Sequence, residues 1–394
     1  MPLIPDRPLG LAPGSISDYR ELARRRIPRQ LFDYIDGGAY DEATMRNNVG
    51  DLADIALRQR VMRDVSDINT SVTVLGQNLS MPVILGPVGL GGMFAQRAEV
   101  QAAQAAEAAG VPFCESTVSI CGMEEVTRNT SAPIWYQLYV MRDRTFAEGL
   151  MAKAKSLGCP VLVLTVDLPV VGARYRDDRN GMIGKMSPAK KLRQAVDMAS
   201  HPLWIRDVAI GGKPHTFGNL EDVVPGARTV RAFKKWVDSQ FDASVTWDDL
   251  AWVREHWDGK LVIKGVLDAE DARRAVDAGV EGIVVSNHGG RQLDATPSTI
   301  KALPAVAEAV DGRIDVLFDG GIRSGLDIVK AMALGADACL IGRAWAYAVA
   351  GRGKAGVAHI LDIIRADLHV ALALTGFPDI TTLDASALVD GAEF

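Results

Sequence analysis

From Met81 onward the chain alternates short apolar runs with amphipathic stretches, and this alternation constrains its fold more than any other feature. The runs are Pro82–Gly86, Val111–Ser116, Ile134–Tyr139, Val161–Asp167, Leu261–Val266, Gly282–His288, Asp315–Gly320 and Ala338–Gly342. Most are continuous in Val, Ile and Leu, the pattern of parallel strands covered on both faces. The stretches between them carry helix signals. Thr145 with Glu148 has capping-box spacing, with a stop near Gly158. Asp268 precedes Ala269, Ala272, Ala275 and Val276 and a stop at Gly279, and Ser324 opens a segment ending at Gly335. Gly110 closes an Ala-rich stretch, and Pro304 marks the expected first turn of the helix after Thr299.

Eight strand–helix units predict an α/β protein built as a closed (β/α)8 TIM barrel, with its site at the carboxyl ends of the strands. A doubly wound open sheet is the alternative. A single domain is expected over residues 1–394: an N-terminal extension at 1–80, helical with a hairpin near Thr70–Leu79, then a barrel at 81–375. Residues 174–258 form an insertion after the fourth strand. It is too long for an ordinary connection, which points to function.

Composition narrows the class. Hydrophobic residues at 48% and charged residues at 23% describe a soluble globular chain with a full core. Cys114, Cys121, Cys159 and Cys339 lack disulfide density, and with the six histidines they show no metal spacing, so no metal is expected. The thiols read as those of a cytoplasmic protein, the N-terminus lacks signal-peptide character, and no run is long enough to cross a membrane. The net charge is −6, yet Arg174–Trp236 holds 13 Lys/Arg against 6 Asp/Glu. A basic segment on an acidic body suggests an anionic surface or ligand rather than nucleic acid.

Polar residues collect where the strands should end. The third run ends Tyr136-Gln137-Leu138-Tyr139, the fourth Thr165-Val166-Asp167, and Lys264 interrupts the fifth. The sixth runs into Ser286-Asn287-His288-Gly289-Gly290-Arg291-Gln292-Leu293-Asp294, which sets a base of near-neutral pKa beside a fixed cation. Gly320, Gly321 and Arg323 follow the seventh run after Asp319, and Gly342 and Arg343 follow the eighth. Glycine backbone and arginine at these two ends form the usual phosphate site of a barrel. Residues 351–356 also fit a G-x-G-x-x-G pattern, but no strand precedes them and too little chain follows for dinucleotide binding.

On these motifs the chain resembles the FMN-dependent 2-hydroxy-acid dehydrogenases and oxidases from about Ser17 to its end. SNHGGRQLD is the most specific signature, and YQLY, TVD, KGV and DGGIRSG occur in the family's order. Within the family, DYIDGGAYDE (Asp33–Glu42), LSMPVILGPVGLGGM (Leu79–Met93) and TVDLPVVGARYRD (Thr165–Asp177) resemble the quinone-linked respiratory L-lactate dehydrogenases of bacteria most.

The resemblance implies FMN as cofactor and oxidation of a short L-2-hydroxy acid, L-lactate to pyruvate, with electrons passed to quinone or another acceptor. It implies a homotetramer, cytoplasmic or peripheral on the inner face of the cell membrane. By the same resemblance His288 is the base, oriented by Asp167. Tyr34, Tyr139, Arg174 and Arg291 bind the substrate carboxylate. Lys264 lies near flavin N1 and O2. Pro87, Val88, Gly89, Ser116, Gln137, Thr165 and Ser286 contact the isoalloxazine and ribityl groups, and Asp319, Gly320, Gly321, Arg323, Gly342 and Arg343 hold ribityl and phosphate. Gly89 stands where many oxidases carry Ala, and Val118 where glycolate oxidases have Trp. There is no haem-binding domain. Lys190, Lys191, Arg193 and Arg206, near Leu203, Trp204 and Ile205, suit either an anionic bilayer surface or a solvated lid. Four alternatives stay open: a peroxide-forming oxidase, an (S)-mandelate-type dehydrogenase, a Schiff-base aldolase built on Lys264, and a non-catalytic scaffold.

Overall fold

The computed structural model describes residues 12–182, 187–221 and 239–389. Eight parallel strands form its centre: β3 (Val83–Leu85), β4 (Cys114–Ser116), β5 (Trp135–Tyr139), β6 (Val161–Thr165), β7 (Lys260–Val266), β8 (Gly282–Val285), β9 (Asp315–Asp319) and β10 (Ala338–Ile341). From β4 to β10 each pairs with its neighbour in chain order, and β10 returns to pair with β3. A parallel bridge from Leu85 to Phe113, just ahead of β4, closes the ring. This is the TIM barrel, not the open sheet. Every residue of β6 and β8 is buried, and each buried Val, Leu or Ile there contributes about 1.5–3 kcal/mol over exposure.

The register explains why polar residues converge. Tyr139 lies opposite Thr165, and Thr165 opposite Lys264, so three adjacent strands present polar side chains at one level. Several strands are shorter than their apolar runs. β6 stops at Thr165 and β8 at Val285, which leaves Asp167, Ser286 and His288 in loops. A register shift between Lys264 and Val266, with Gly265 at φ 116°, bends β7 and ends regular pairing there.

The N-terminal extension consists of α1 (Ile16–Arg26), α2 (Arg29–Asp36), α3 (Ala43–Asp54) and the hairpin of β1 (Val72–Val74) with β2 (Gln77–Leu79). Ser15 caps α1 by accepting from the Asp18 N–H at 3.2 Å. The first N–H groups of α3 are capped from elsewhere: Asp294 accepts from Thr44 at 2.7 Å and from Ala43 at 3.2 Å.

Two helix starts differ from expectation. The Arg144–Ser156 helix is capped by Asp143, which accepts from the Phe146 N–H at 3.1 Å, so Thr145 lies inside the helix rather than at its cap. The next helix to differ runs Thr299–Val310 from an N-cap at Ser298, with Pro304 inside it. That proline, the sixth of the helix's 12 residues, removes one intrahelical bond, a loss that packing of the buried Ile300, Leu303 and Val306 offsets.

The G-x-G-x-x-G segment interrupts the C-terminal helix Arg343–Thr375, where Arg352 and Gly353 leave helical geometry. Gly351 packs on Tyr19 and Leu22 of α1, and a Cβ on Gly356 would lie 2.2 Å from the Ala348 carbonyl oxygen. Its glycines therefore serve a kink and close packing.

Between β6 and β7 stand helices Tyr175–Asn180 and Pro188–Ala199 and the helical turns Pro202–Ile210. Trp204 does not face outward beside the basic residues: it is buried, and its indole N–H donates to the Met93 carbonyl at 2.9 Å. Lys185, Arg228, Arg231, Lys234 and Lys235 of the basic segment lie outside the described residues. Among the described residues no helix is long and apolar enough to cross a membrane.

The Gly356→Ala substitution should lower stability by about 1–3 kcal/mol through overpacking, read as a shifted guanidinium chloride midpoint with an unchanged slope.

Candidate active site

The loop after β8 turns through three successive left-handed residues: His288 at φ 57°, Gly289 at 67° and Gly290 at 72°. A Cβ on Gly289 would lie 2.6 Å from Arg343 Nη1, and one on Gly290 2.5 Å from the Met45 N. The two glycines thus let Arg343 and α3 approach the loop. The residues around them anchor it. Asn287 exchanges two amide hydrogen bonds of 2.8 Å with Asn48 of α3. Gln292 donates to the carbonyls of Asp167 and Val170, each at 2.9 Å.

His288 is thereby presented to Asp167, with Nδ1 at 2.9 Å from Oδ1. Burial holds the imidazole below its ordinary pKa, although the Asp167 charge works the other way. Burial alone would raise the Asp167 carboxyl, but His288 and Lys264 outweigh it and keep it ionised. The stable state is a neutral imidazole donating from Nδ1 to a carboxylate, which leaves Nε2 free as an acceptor.

A cavity of about 200 Å³ opens over the strand ends in front of His288. Of the residues expected at a site, Tyr34, Tyr139, Arg174 and Arg291 line one part of it. Pro87, Val88, Gly89, Thr165 and Lys264 line its wall and floor, and Asp319, Gly320, Gly321, Arg323, Gly342 and Arg343 also line it, from the ends of β9 and β10. Ser116, Gln137, Ser286 and Asp167 do not line the cavity; they hold residues nearby. Ser286 Oγ accepts from Lys264 Nζ at 2.8 Å and from the His288 N–H at 3.1 Å. Ser116 donates to Gln137 Oε1 at 3.2 Å. Asn48, Gln292 and Asp294 were not expected at the site. The signal for the last two was their place in SNHGGRQLD, whereas nothing local marks Asn48.

The cavity is cationic. Arg174 and Arg291 have no carboxylate partner among the described residues. Arg291 donates to the Tyr34 and Gly37 carbonyls at 2.6 and 2.9 Å and lies 4.8 Å from the Tyr34 ring centre. Burial, and then the neighbouring Arg291, lower the Arg174 guanidinium to about 10. Arg343 is likewise lowered to about 10 by burial, while it donates to the Ile35, Gly289 and Gly37 carbonyls. Burial would also lower Lys264, but Asp319 at 3.0 Å and Asp167 reverse this and hold the ammonium above its usual range.

The donor set suits a flavin phosphate. Gln137 Nε2, Thr165 Oγ1 and Asp319 Oδ1 are buried without a partner in the protein. Such atoms carry a desolvation cost that a polar ligand would relieve. Thr165 and Asp319 line the cavity together with His288, the guanidinium groups of Arg323 and Arg343, and the left-handed Gly320 and Gly321. The cavity therefore offers a place for a polar ring, an anion site at each end, and one neutral base. Among the described residues no cluster of His, Cys, Asp and Glu could hold a metal ion.

Comparison with known proteins agrees with this donor set. Residues 23–390 match the profile of the family "FMN-dependent dehydrogenase". The chain is 54% identical over 376 residues to an L-lactate dehydrogenase of Caulobacter vibrioides, covering 95% of this chain and 97% of that one. Against an L-lactate dehydrogenase of Haemophilus influenzae it is 52% identical over 376 residues, with 95% and 98% covered. A crystal structure of the monotopic membrane protein (S)-mandelate dehydrogenase superposes with a TM-score of 0.90 at 38% identity, covering 96% of this chain and 100% of that one.

The His288 imidazole should titrate below the ordinary imidazole range, because burial disfavours its charged form. In Asp167→Asn, which removes the charge that favours imidazolium, its titration should move still lower, as read by NMR of the imidazole carbons.

Proposed function

Because the chain belongs to the FMN-dependent dehydrogenase family, we propose that it oxidises L-lactate to pyruvate, with His288 as the base and Arg174 and Arg291 as the carboxylate clamp. The observation that carries this reading is the His288–Asp167 pair facing a cavity with two carboxylate-free guanidinium groups. Nε2 of His288 takes up the proton released from substrate, and the ionised Asp167 stabilises the imidazolium that forms. Arg174 and Arg291 fix the carboxylate in a buried setting, where charge-assisted bonds are strong. The hydroxyls of Tyr34 and Tyr139 add donors that orient it. FMN supplies the two-electron oxidant that these side chains lack.

For the ring and ribityl chain the residues are Ser116, Gln137, Thr165, Lys264, Ser286 and the backbone of Pro87, Val88 and Gly89. Asp319, Gly320, Gly321, Arg323, Gly342 and Arg343 serve ribityl and phosphate. Lys264 supplies positive charge from a rigid position between Ser286 and Asp319. That same environment argues against the aldolase reading, because a Schiff base needs a neutral amine.

Quinone as acceptor and a peripheral place on the membrane belong to the same reading, as does a homotetramer. The helix Pro188–Ala199 buries none of its residues. Asp197 and Gln194 bond to Arg29 and Gln30 of α2, so Leu192 and Val196 face away from the body, 68% and 62% exposed. An apolar stripe beside Lys190, Lys191 and Arg193, with no core to meet, suits an anionic bilayer surface.

Anaerobic L-lactate should bleach the yellow protein faster than D-lactate or (S)-mandelate; faster bleaching by mandelate would replace lactate as substrate. Fast reoxidation by oxygen rather than by a soluble quinone would favour an oxidase. His288→Gln should retain FMN and lose about 10²–10⁴-fold in kcat, and turnover near the parent would remove His288 as the base. Replacing Lys190, Lys191 and Arg193 with Ser should release the protein from phosphatidylglycerol vesicles in a flotation assay. Unchanged flotation would end the role assigned to these residues.

A further inference from the structure

Four elements, α1, α2, the Tyr175–Asn180 helix and the C-terminal helix, meet at one buried carboxylate. Asp36, 5% exposed at the end of α2, accepts at Oδ1 from Arg20 Nε of α1 at 2.5 Å and from the Tyr347 hydroxyl at 2.8 Å. Its Oδ2 accepts from Arg20 Nη2 at 2.9 Å and from Arg176 Nη1 at 2.7 Å. Arg176 also binds Glu42 at 2.5 Å and stands two residues after Arg174. Tyr347 stands about one helical turn after Arg343. Burial would raise the Asp36 carboxyl, but Arg20, Tyr347 and Arg176 outweigh it and hold it well below the usual carboxylate range.

The backbone around Asp36 points the same way. The Tyr34 and Gly37 carbonyls accept from Arg291, and the Ile35 and Gly37 carbonyls accept from Arg343. Carbonyls at a helix end have no partner within the helix, and the negative end of the helix dipole favours cations there. The end of α2 therefore seats two cavity-lining arginines, which share the Gly37 carbonyl, and the angle of α2 decides where both guanidinium groups lie. Asp36 sets that angle against α1, the Tyr175–Asn180 helix and the C-terminal helix.

We propose that Asp36 is a positioning residue that sets the substrate and phosphate parts of the cavity together, fixing Arg174 through Arg176, Arg343 through Tyr347, and Arg291 through the end of α2. The proposal rests on the reading of Arg174 and Arg291 as the carboxylate clamp and of Arg343 as a phosphate residue. Asp36 reaches neither substrate nor flavin; it acts through four donors that need both carboxylate oxygens. An asparagine of the same volume keeps one acceptor and turns an N–H group toward a guanidinium.

The test uses the full-length protein, with affinity measured by fluorescence titration of the stripped apoprotein with FMN, and kcat and KM for L-lactate measured at saturating FMN. Asp36→Asn should raise KM and the FMN Kd about tenfold each and leave kcat within about threefold, because His288 and Asp167 are untouched. Arg176→Met should raise KM alone, and Tyr347→Phe the FMN Kd alone. Each effect should shrink in the Asp36→Asn background. These two single-partner variants carry the test if Asp36→Asn does not accumulate as folded protein.

The proposal is overturned if Asp36→Asn lowers kcat or the folded fraction while KM and Kd stay parental. It is equally overturned if the single effects multiply independently. An Arg174→Lys control reads the underlying assignment by itself. Unchanged KM there removes the clamp, and with it the substrate half of the proposal, while a raised FMN Kd in Asp36→Asn still supports the phosphate half.

Discussion

The site depends on one backbone constraint: residues 288–290 all adopt left-handed conformations in succession. For glycine this is no burden, but for His288 it costs about 1–2 kcal/mol. Packing and hydrogen bonds on both sides hold the turn in place. Upstream, Asn287 is locked to Asn48 of α3; downstream, Asp294 caps that same helix. The loop and α3 thus hold each other, and the imidazole they present bonds to Asp167. A straighter loop would move His288 away from Asp167, and bulk at Gly289 or Gly290 would displace Arg343 or α3.

A second constraint is electrostatic. The chain is acidic overall, with a net charge of −6, yet its cavity gathers four arginines and a lysine against one lining carboxylate, Asp319. Burying such a set costs stability, which is why burial lowers Arg174 and Arg343 to about 10. A fold that kept these groups for stability alone would pair each with a carboxylate, as Arg144 is paired with Asp242 and Asp249. Cations that have no carboxylate partner among the described residues are instead complementary to a ligand that brings negative charge. A hydroxy-acid carboxylate and a flavin phosphate are the two charges that the family's chemistry supplies.

The barrel was legible because it rests on local information. Each strand is a continuous apolar run, and the polar residues at its end stand out against it. Asp268 and Ser324 were readable as caps for the same reason, since the cap and the groups it satisfies are within a few residues. What escaped reading depends on contacts between distant segments. Asp294 capping α3 spans about 250 positions, and Asn48 meets Asn287 across 239. Trp204 sits among basic residues in the chain but points inward, because Met93 offers it a buried acceptor. The G-x-G-x-x-G segment was set aside for want of a preceding strand. Its structural use, a kink that lets two helices pack closely, has no local signature.

The stretch between β6 and β7 divides into parts under different physical control. The Tyr175–Asn180 helix is tied to the body by Arg176, which reaches Asp36 and Glu42, so Arg174 beside it inherits a fixed position. The Pro188–Ala199 helix buries none of its residues and, among the described residues, meets α2 through exposed or half-buried polar contacts. Under the membrane role proposed for it, loose attachment is an advantage, because its apolar residues can adapt without repacking a core. A guanidinium that must meet a carboxylate gains from the opposite, since misplacement by about 1 Å costs on the order of 10²-fold in rate. The ion pairs at Arg176 come before the exposed helix in the chain, so the position of Arg174 does not rest on that helix. Under the proposed membrane role, substitutions in the exposed helix would change where the protein sits without changing what its cavity binds.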